Sequence, residues 1–193
     1  MRDNVQPLEK LAIFMDYHNL NPALRELGFR MDLGRLREYL TEGRWLLESF
    51  VYIGINPQAP QPDEERARRM RQEGFIVRTK VAKLRDDGRL KCDFDAEMVL
   101  DIVDFVQAAR PDIVVLATGD GDFIPLALWL RMRGIRVEVA ATHENLSEDL
   151  RGAANGFIDL GSVVEELGRP YGDGNKQPDQ ARQRRYEHAD GNH

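Results

Sequence analysis

A chain of 193 residues with 42% hydrophobic content has the length and apolar fraction of one packed domain plus a tail. Its net charge of -6 argues against a protein that coats nucleic acid non-specifically, since such binding needs a basic face, and a single cysteine, Cys92, excludes an intrachain disulfide and any multi-cysteine zinc site. No segment approaches the roughly 20 apolar residues of a membrane span, and residues 1–10, with Arg2, Asp3, Glu9 and Lys10, do not read as a signal peptide, so a cytoplasmic protein with no membrane partner is expected.

In chain order, residues 11–15 form a short apolar run that reads as a first strand, ending at Asp16, Tyr17, His18 and Asn19. Asp32 is an N-cap for a helix over 33–40, and 46–55 reads as a second strand. Pro62 with three acids behind it opens a helix running to Gln72, stopped by Gly74, and 75–81 follows as a third strand. A helix starting near Asp95 places Met98, Val99, Ile102, Val103 and Val106 on one stripe. Asp95 projects toward that stripe and Glu97, Asp101 and Asp104 toward solvent. Residues 113–117 read as the fourth strand, 123–132 as a helix closed by Gly134, and 135–140 as the fifth strand. Strands alternating with helices predict an α/β domain over 1–167, three-layered, with a mainly parallel sheet of about five strands. Residues 168–193 carry almost nothing aliphatic and read as a disordered polar tail.

In a parallel sheet the strand carboxyl ends and helix N-termini share one edge, where functional residues collect. Asp16, Asp95 and the turn Thr118, Gly119, Asp120, Gly121, Asp122 all fall there. Carboxylates converging on one crevice repel unless cations lie between them, and an all-oxygen cluster suits Mg²⁺ or Mn²⁺. Each acid alone also reads as a turn or cap residue. The Gly-x-Gly-x-x-Gly fingerprint is missing, which argues against a nucleotide cofactor, and an EF-hand counted from Asp120 meets Arg131 where its bidentate Glu belongs. Charge is uneven: Arg66, Arg68, Arg69, Arg71, Arg78, Lys80, Lys83, Arg85, Arg89 and Lys91 form a basic block, followed by an acidic one from Asp93 to Asp122. A phosphodiester substrate meeting bound cations would suit that arrangement, as would solvated faces of opposite sign. His18 reads as a hydrogen-bonder on a surface loop, Trp45 and Trp129 as core, and Tyr17 as the better base-stacking candidate.

Asp16 to Leu20, Lys91 to Asp101, and Thr118 to Leu126 with Gly134 to Val137 behind it together resemble the NYN domain of the LabA-like, or DUF88, group in the PIN-like nuclease superfamily, over roughly residues 11–160. The resemblance implies a PIN-like α/β/α fold and, for active members, a divalent-metal-dependent ribonuclease acting on RNA. It casts Asp16, Asp95, Asp120 and Asp122 as catalytic, metal-holding acids. Asn19, Thr118, Lys91 and Arg89 become substrate contacts, with Lys91 one residue further from Asp95 than many members place it and Thr118 in place of the commoner Ser. The alternative is an inactive NYN domain that binds RNA or a protein partner; a haloacid-dehalogenase-like phosphatase ranks last, because its Asp-x-Asp start is broken by His18. Assembly as a homo-oligomer is compatible with all three.

Overall fold

The computed structural model describes residues 8–84 and 90–170. In chain order its elements are β1 (Lys10–Asp16), α1 (Tyr17–Glu26), β2 (Phe29–Met31), α2 (Leu33–Thr41), β3 (Trp45–Ile55), α3 (Gln61–Gln72), β4 (Ile76–Val81), β5 (Lys83–Leu84) and β6 (Leu90–Lys91). There follow α4 (Asp95–Ala109), β7 (Ile113–Ala117), a 3-10 turn (Gly121–Phe123), α5 (Ile124–Arg131), β8 (Arg136–Ala141), α6 (Glu148–Ala153), β9 (Gly156–Asp159), α7 (Val164–Leu167) and β10 (Gly168–Pro170).

Six strands form one sheet in the order β4-β3-β1-β7-β8-β9, with every neighbouring pair parallel. The central strands β1 and β7 read as unbroken apolar runs because both of their faces are covered. Ala12, Phe14, Val114 and Leu116 pack under α4, α5 and α6, against Met98, Ile102, Leu126, Leu130 and Leu150. Leu11, Ile13, Met15, Ile113 and Val115 pack on the opposite face with Leu20, Leu36, Leu40, Met70 and Leu167 from α1, α2, α3 and α7. The result is three layers, α/β/α, as the strand and helix alternation predicts. Each face supplies its own core, so the period-two alternation of a half-exposed strand never arises.

The chain builds outward from β1 through β3 to β4, returns to β7, and builds outward the other way through β8 to β9. The winding therefore reverses between β1 and β7. At such a switch point the loops leaving two adjacent strands diverge to opposite faces and open a crevice.

Several sequence expectations are revised. The sheet has a sixth strand, Gly156–Asp159, a four-residue edge strand too short for its periodicity to register. The segment after Asp16 is a helix, not a loop. Asp16 caps α1 by accepting from the His18 and Asn19 amides, and Pro22 within the helix masks the pattern. Gly168–Pro170, assigned to the polar tail, pairs antiparallel with Phe29–Met31 through backbone groups that need no apolar side chain. Residues 171–193, the rest of that tail, lie outside the described residues. Trp45 is 59% exposed at the start of β3, not core, and Trp129 is half-buried with the Arg133 guanidinium 3.6 Å over its ring. Asp101 does not face open solvent: it accepts from the buried Tyr52 hydroxyl at 3.0 Å and from Arg78 at 2.8 and 2.9 Å. Among the described residues no helix is long and apolar enough to cross a membrane.

Candidate metal centre

Three chain segments bring carboxylates to the crevice. β1 ends at Asp16, whose Oδ1 accepts from the backbone N–H of His18 at 3.0 Å and of Asn19 at 3.1 Å. The loop after β7 carries Asp120, which caps the following 3-10 turn by accepting from the Asp122 N–H at 3.0 Å. Asp95 is the first residue of α4, its N–H held by Asp93 Oδ1 at 3.2 Å. Asp95, Asp120 and Asp122 each turn one carboxylate oxygen to a common point, with those atoms within 4.8 Å of one another. Asp16 stands outside that triplet but close enough for its charge to act on Asp95.

Electrostatics records the crowding. Burial, chiefly, pushes the Asp16 carboxyl up to about 6, against the two amides that hold it down, and the charges of Asp120 and Asp93 add to the rise. Burial also lifts Asp95, to about 7, reinforced by its hydrogen bond with Asp93 and by the charges of Asp93, Asp120 and Asp16. The donor set consists of carboxylate oxygens alone, without imidazole or thiolate. Such a set suits a hard divalent cation better than zinc.

Raised carboxylates have a definite sign in linkage. The native chain holds protons that the unfolded chain has already released, so stability falls as pH rises from the ordinary carboxylate value toward about 7. His18, whose pKa burial depresses, contributes with the opposite sign, and that contribution is complete only about one pH unit above its ordinary value of 6.5. Comparison with Asp95→Asn, which keeps His18, removes it. In EDTA the wild-type melting temperature should therefore fall relative to that of Asp95→Asn between pH 6.5 and about 8, and Mn²⁺ should restore it at the higher pH. A wild-type melting temperature that rises relative to the variant over this interval would show the acids satisfied without a cation.

A polar lattice fixes the two sides of the crevice relative to each other. Asn19 Oδ1 accepts from the Gly119 N–H at 2.8 Å and from Asn145 Nδ2 at 2.9 Å, and Asn145 Nδ2 also donates to the Asn19 carbonyl at 3.1 Å. Asn145 Oδ1 in turn accepts from the N–H and the hydroxyl of Thr142, both at 3.0 Å. The Ser147 N–H closes the circuit on the Gly119 carbonyl at 2.8 Å. The end of β1, the β7 loop and the β8 loop are thus one hydrogen-bonded body. Sequence reasoning missed Asn145. The available signal was its place just past the fifth strand, at the same sheet edge as the acids.

The residues expected to touch substrate are placed differently from one another. Asn19 spends its carboxamide oxygen on the lattice. Thr118 is fully buried and its hydroxyl accepts from the Asp120 N–H at 3.3 Å, so it shapes the loop. Lys91 is half-exposed with Asp93 at 3.3 Å, and Arg89 lies outside the described residues. Much of the basic block is matched by local acids: Arg66 with Asp63 and Arg68 with Glu65, each at 2.8 Å, Arg78 with Asp101, and Lys80 with Glu97. His18 is not a surface loop residue. It is partly buried in the first turn of α1, and its Nε2 accepts from the Gly54 N–H at 2.7 Å, which leaves the ring proton on Nδ1. A Cβ on Gly54 would stand 2.7 Å from Cys92 Sγ and 3.0 Å from that His18 nitrogen, so only glycine lets β3 pass between them. Tyr17 lies edge-on to His18 with the Arg66 guanidinium 5.4 Å over its ring.

Comparison with known proteins places this geometry. The NYN domain model matches residues 10–161. The chain is 29% identical over 174 residues to the low amplitude and bright protein LabA of Synechococcus elongatus, an alignment covering 83% of this chain and 90% of that one. A crystal structure of a protein of unknown function from Vibrio parahaemolyticus is similar with a TM-score of 0.68 and 27% identity, covering 83% of this chain and 96% of that one.

Proposed function

Because the chain belongs to the NYN domain family, a nuclease-like and RNA-associated group, we propose that it is a divalent-metal-dependent ribonuclease that hydrolyses RNA phosphodiester bonds in the β1/β7 crevice. The observation that carries the reading is the convergence of Asp95, Asp120 and Asp122 on one point, with Asp16 beside them, at the switch point of the sheet. Asp95, Asp120 and Asp122 would hold Mg²⁺ or Mn²⁺, and Asp16 would face it from the end of β1. When bound, such an ion supplies Lewis acidity toward the phosphoryl oxygens and lowers the pKa of water.

The chain's own residues supply placement. The Asp16 and Asp120 caps fix two carboxylates by backbone amides, so these acids keep their geometry when no ion is present. Asn19 and Asn145 hold the Gly119 backbone, and with it the Asp120 loop, against the end of β1. The four acids also repel an RNA phosphate whenever their charge is not neutralised, which makes productive binding depend on the cation. A second reading, a catalytically silent domain that binds RNA or a protein, draws on the capping roles of Asp16 and Asp120, which give both residues a structural reason to be acidic.

Purified protein incubated with labelled single-stranded and structured RNA in Mn²⁺, Mg²⁺ or EDTA separates the two readings. Cleavage in either metal and none in EDTA is the expected outcome. RNA binding with no product in any condition would put the binding module first.

A further inference from the structure

Subtracting the matched charges from the basic block leaves a short list on the substrate edge. Arg69 and Arg71 occupy the last turn of α3, at the end of the helix away from the crevice. Arg66, Arg68, Arg78 and Lys80 face Asp63, Glu65, Asp101 and Glu97. Lys80 is further tied down by donating to the Asp93 carbonyl at 2.9 Å. What remains among the described residues is the ribbon formed by β5 and β6. There Lys83 and Lys91 are register partners in an antiparallel ladder that has two pairs among the described residues. Directly opposed residues project from the same face of a ribbon, and like charges so placed destabilise it. Lys83 is exposed and has no acidic partner among the described residues, where Lys91 reaches the half-exposed Asp93 at 3.3 Å.

The position of this ribbon is specific. β6 runs directly into Cys92, Asp93 and Asp95. Cys92 Sγ donates to the Lys80 carbonyl at 3.7 Å and lies against Gly54, so the end of β6 is pinned beside the acidic crevice. A short ladder whose opposed residues are both lysine, next to a site that would carry cations, would gain from an anion lying between them.

Resting on the ribonuclease reading, we propose that Lys83 and Lys91 form a two-lysine clamp for a phosphodiester group of single-stranded RNA flanking the bond to be cut. Lys83 is the new member, and the pairing gives Lys91 a role through its cross-strand partner. The clamp accounts for binding by an acidic chain: two cations beside the crevice guide the backbone, while Arg66, Arg68, Arg78 and Lys80 are held by local acids.

The test is titration of a short fluorescein-labelled single-stranded RNA in EDTA, which reads binding without turnover, across about 50 to 200 mM salt. Lys83→Ala and Lys91→Ala should each weaken binding and each reduce the slope of log K against log salt by about 0.7, with the double variant losing about 1.4. Lys83→Arg should keep the wild-type slope, and Arg71→Ala, at the far end of α3, should leave it unchanged. Lys83→Ala should not melt below wild type, since it removes a like-charge contact and no ion pair among the described residues, whereas Lys91→Ala also loses its pair with Asp93. Wild-type slopes in both alanine variants would overturn the clamp while leaving the ribonuclease reading intact. Weaker binding accompanied by a lower melting temperature in Lys83→Ala would make that lysine structural and also overturn it. Wild-type protein that binds no RNA in EDTA would overturn the clamp, and failure to bind in Mn²⁺ as well would overturn the ribonuclease reading.

Discussion

Asp120→Asn should reduce metal-dependent RNA cleavage by more than about 10²-fold while leaving the protein as stable as wild type, or more so, in EDTA. Loss of a group that merely supports a metal ligand typically costs about 10- to 100-fold in affinity or activity, and removal of a ligand that two other acids depend on should cost more. Asn keeps the cap, because its Oδ1 can still accept from the Asp122 N–H. It also removes one negative charge from a group in which Asp16 and Asp95 are both raised partly by Asp120. Metal-free stability and metal-dependent activity are thus expected to move in opposite directions. Turnover assays and thermal melts with and without Mn²⁺ check both, and the Mn²⁺-induced rise in melting temperature should shrink in the variant. Cleavage retained at the wild-type rate would remove Asp120 from the chemistry.

Gly119→Ala should be the most disruptive single methyl addition at the site. A Cβ on Gly119 would overlap the backbone carbonyl of Asn145 and press on the Leu146 Cα, and backbone cannot rotate away as a side chain can. The β8 loop would have to move, and with it Asn145, which bridges to Asn19. Overpacking of this kind costs roughly 1–3 kcal/mol and sometimes more, which for a domain of this size corresponds to a fall in melting temperature of about 2–4 °C per kcal/mol. Because the displaced loop also positions Asp120, Mn²⁺ affinity should fall with stability. Gly152→Ala is the companion measurement. Gly152 lies within α6, has open space where the methyl would go, and should gain roughly 0.5–1 kcal/mol on substitution. Chemical denaturation of both variants, followed by Mn²⁺ titration, distinguishes loop displacement from general destabilisation. A Gly119→Ala protein with the wild-type denaturation midpoint would show that the two loops are not locked together.

The two glycines show how differently one residue type is used, and only the second use is local. Gly152 answers to helix propensity. Gly119 answers to Asn145, distant in sequence and brought close by the order of strands. The same division runs through the site. Asp16, Asp95, Asp120 and Asp122 could be found in the sequence because each sits at a strand end or helix start, and those boundaries are written in local periodicity and capping chemistry. The lattice that holds them could not be found that way, since Asn145 belongs to no spacing pattern. It is defined by hydrogen bonds to Asn19 and Thr142 across neighbouring strand ends.

By itself the sequence determined the alternation of strands and helices, hence a parallel α/β/α domain, and the acids on one edge of it. These follow from side-chain burial with periods of two and 3.6 residues and from turn chemistry within a few positions. Only the tertiary structure decided the sixth strand, the pairing of Gly168–Pro170 with Phe29–Met31, the inward placement of His18, and the ion pairs of Arg78 with Asp101 and of Lys80 with Glu97. Each depends on residues far apart in the chain. Charge is additive along a sequence, but its partner is chosen in space: Arg78 read as a surface cation until the packing of α4 against the sheet set Asp101 beside it.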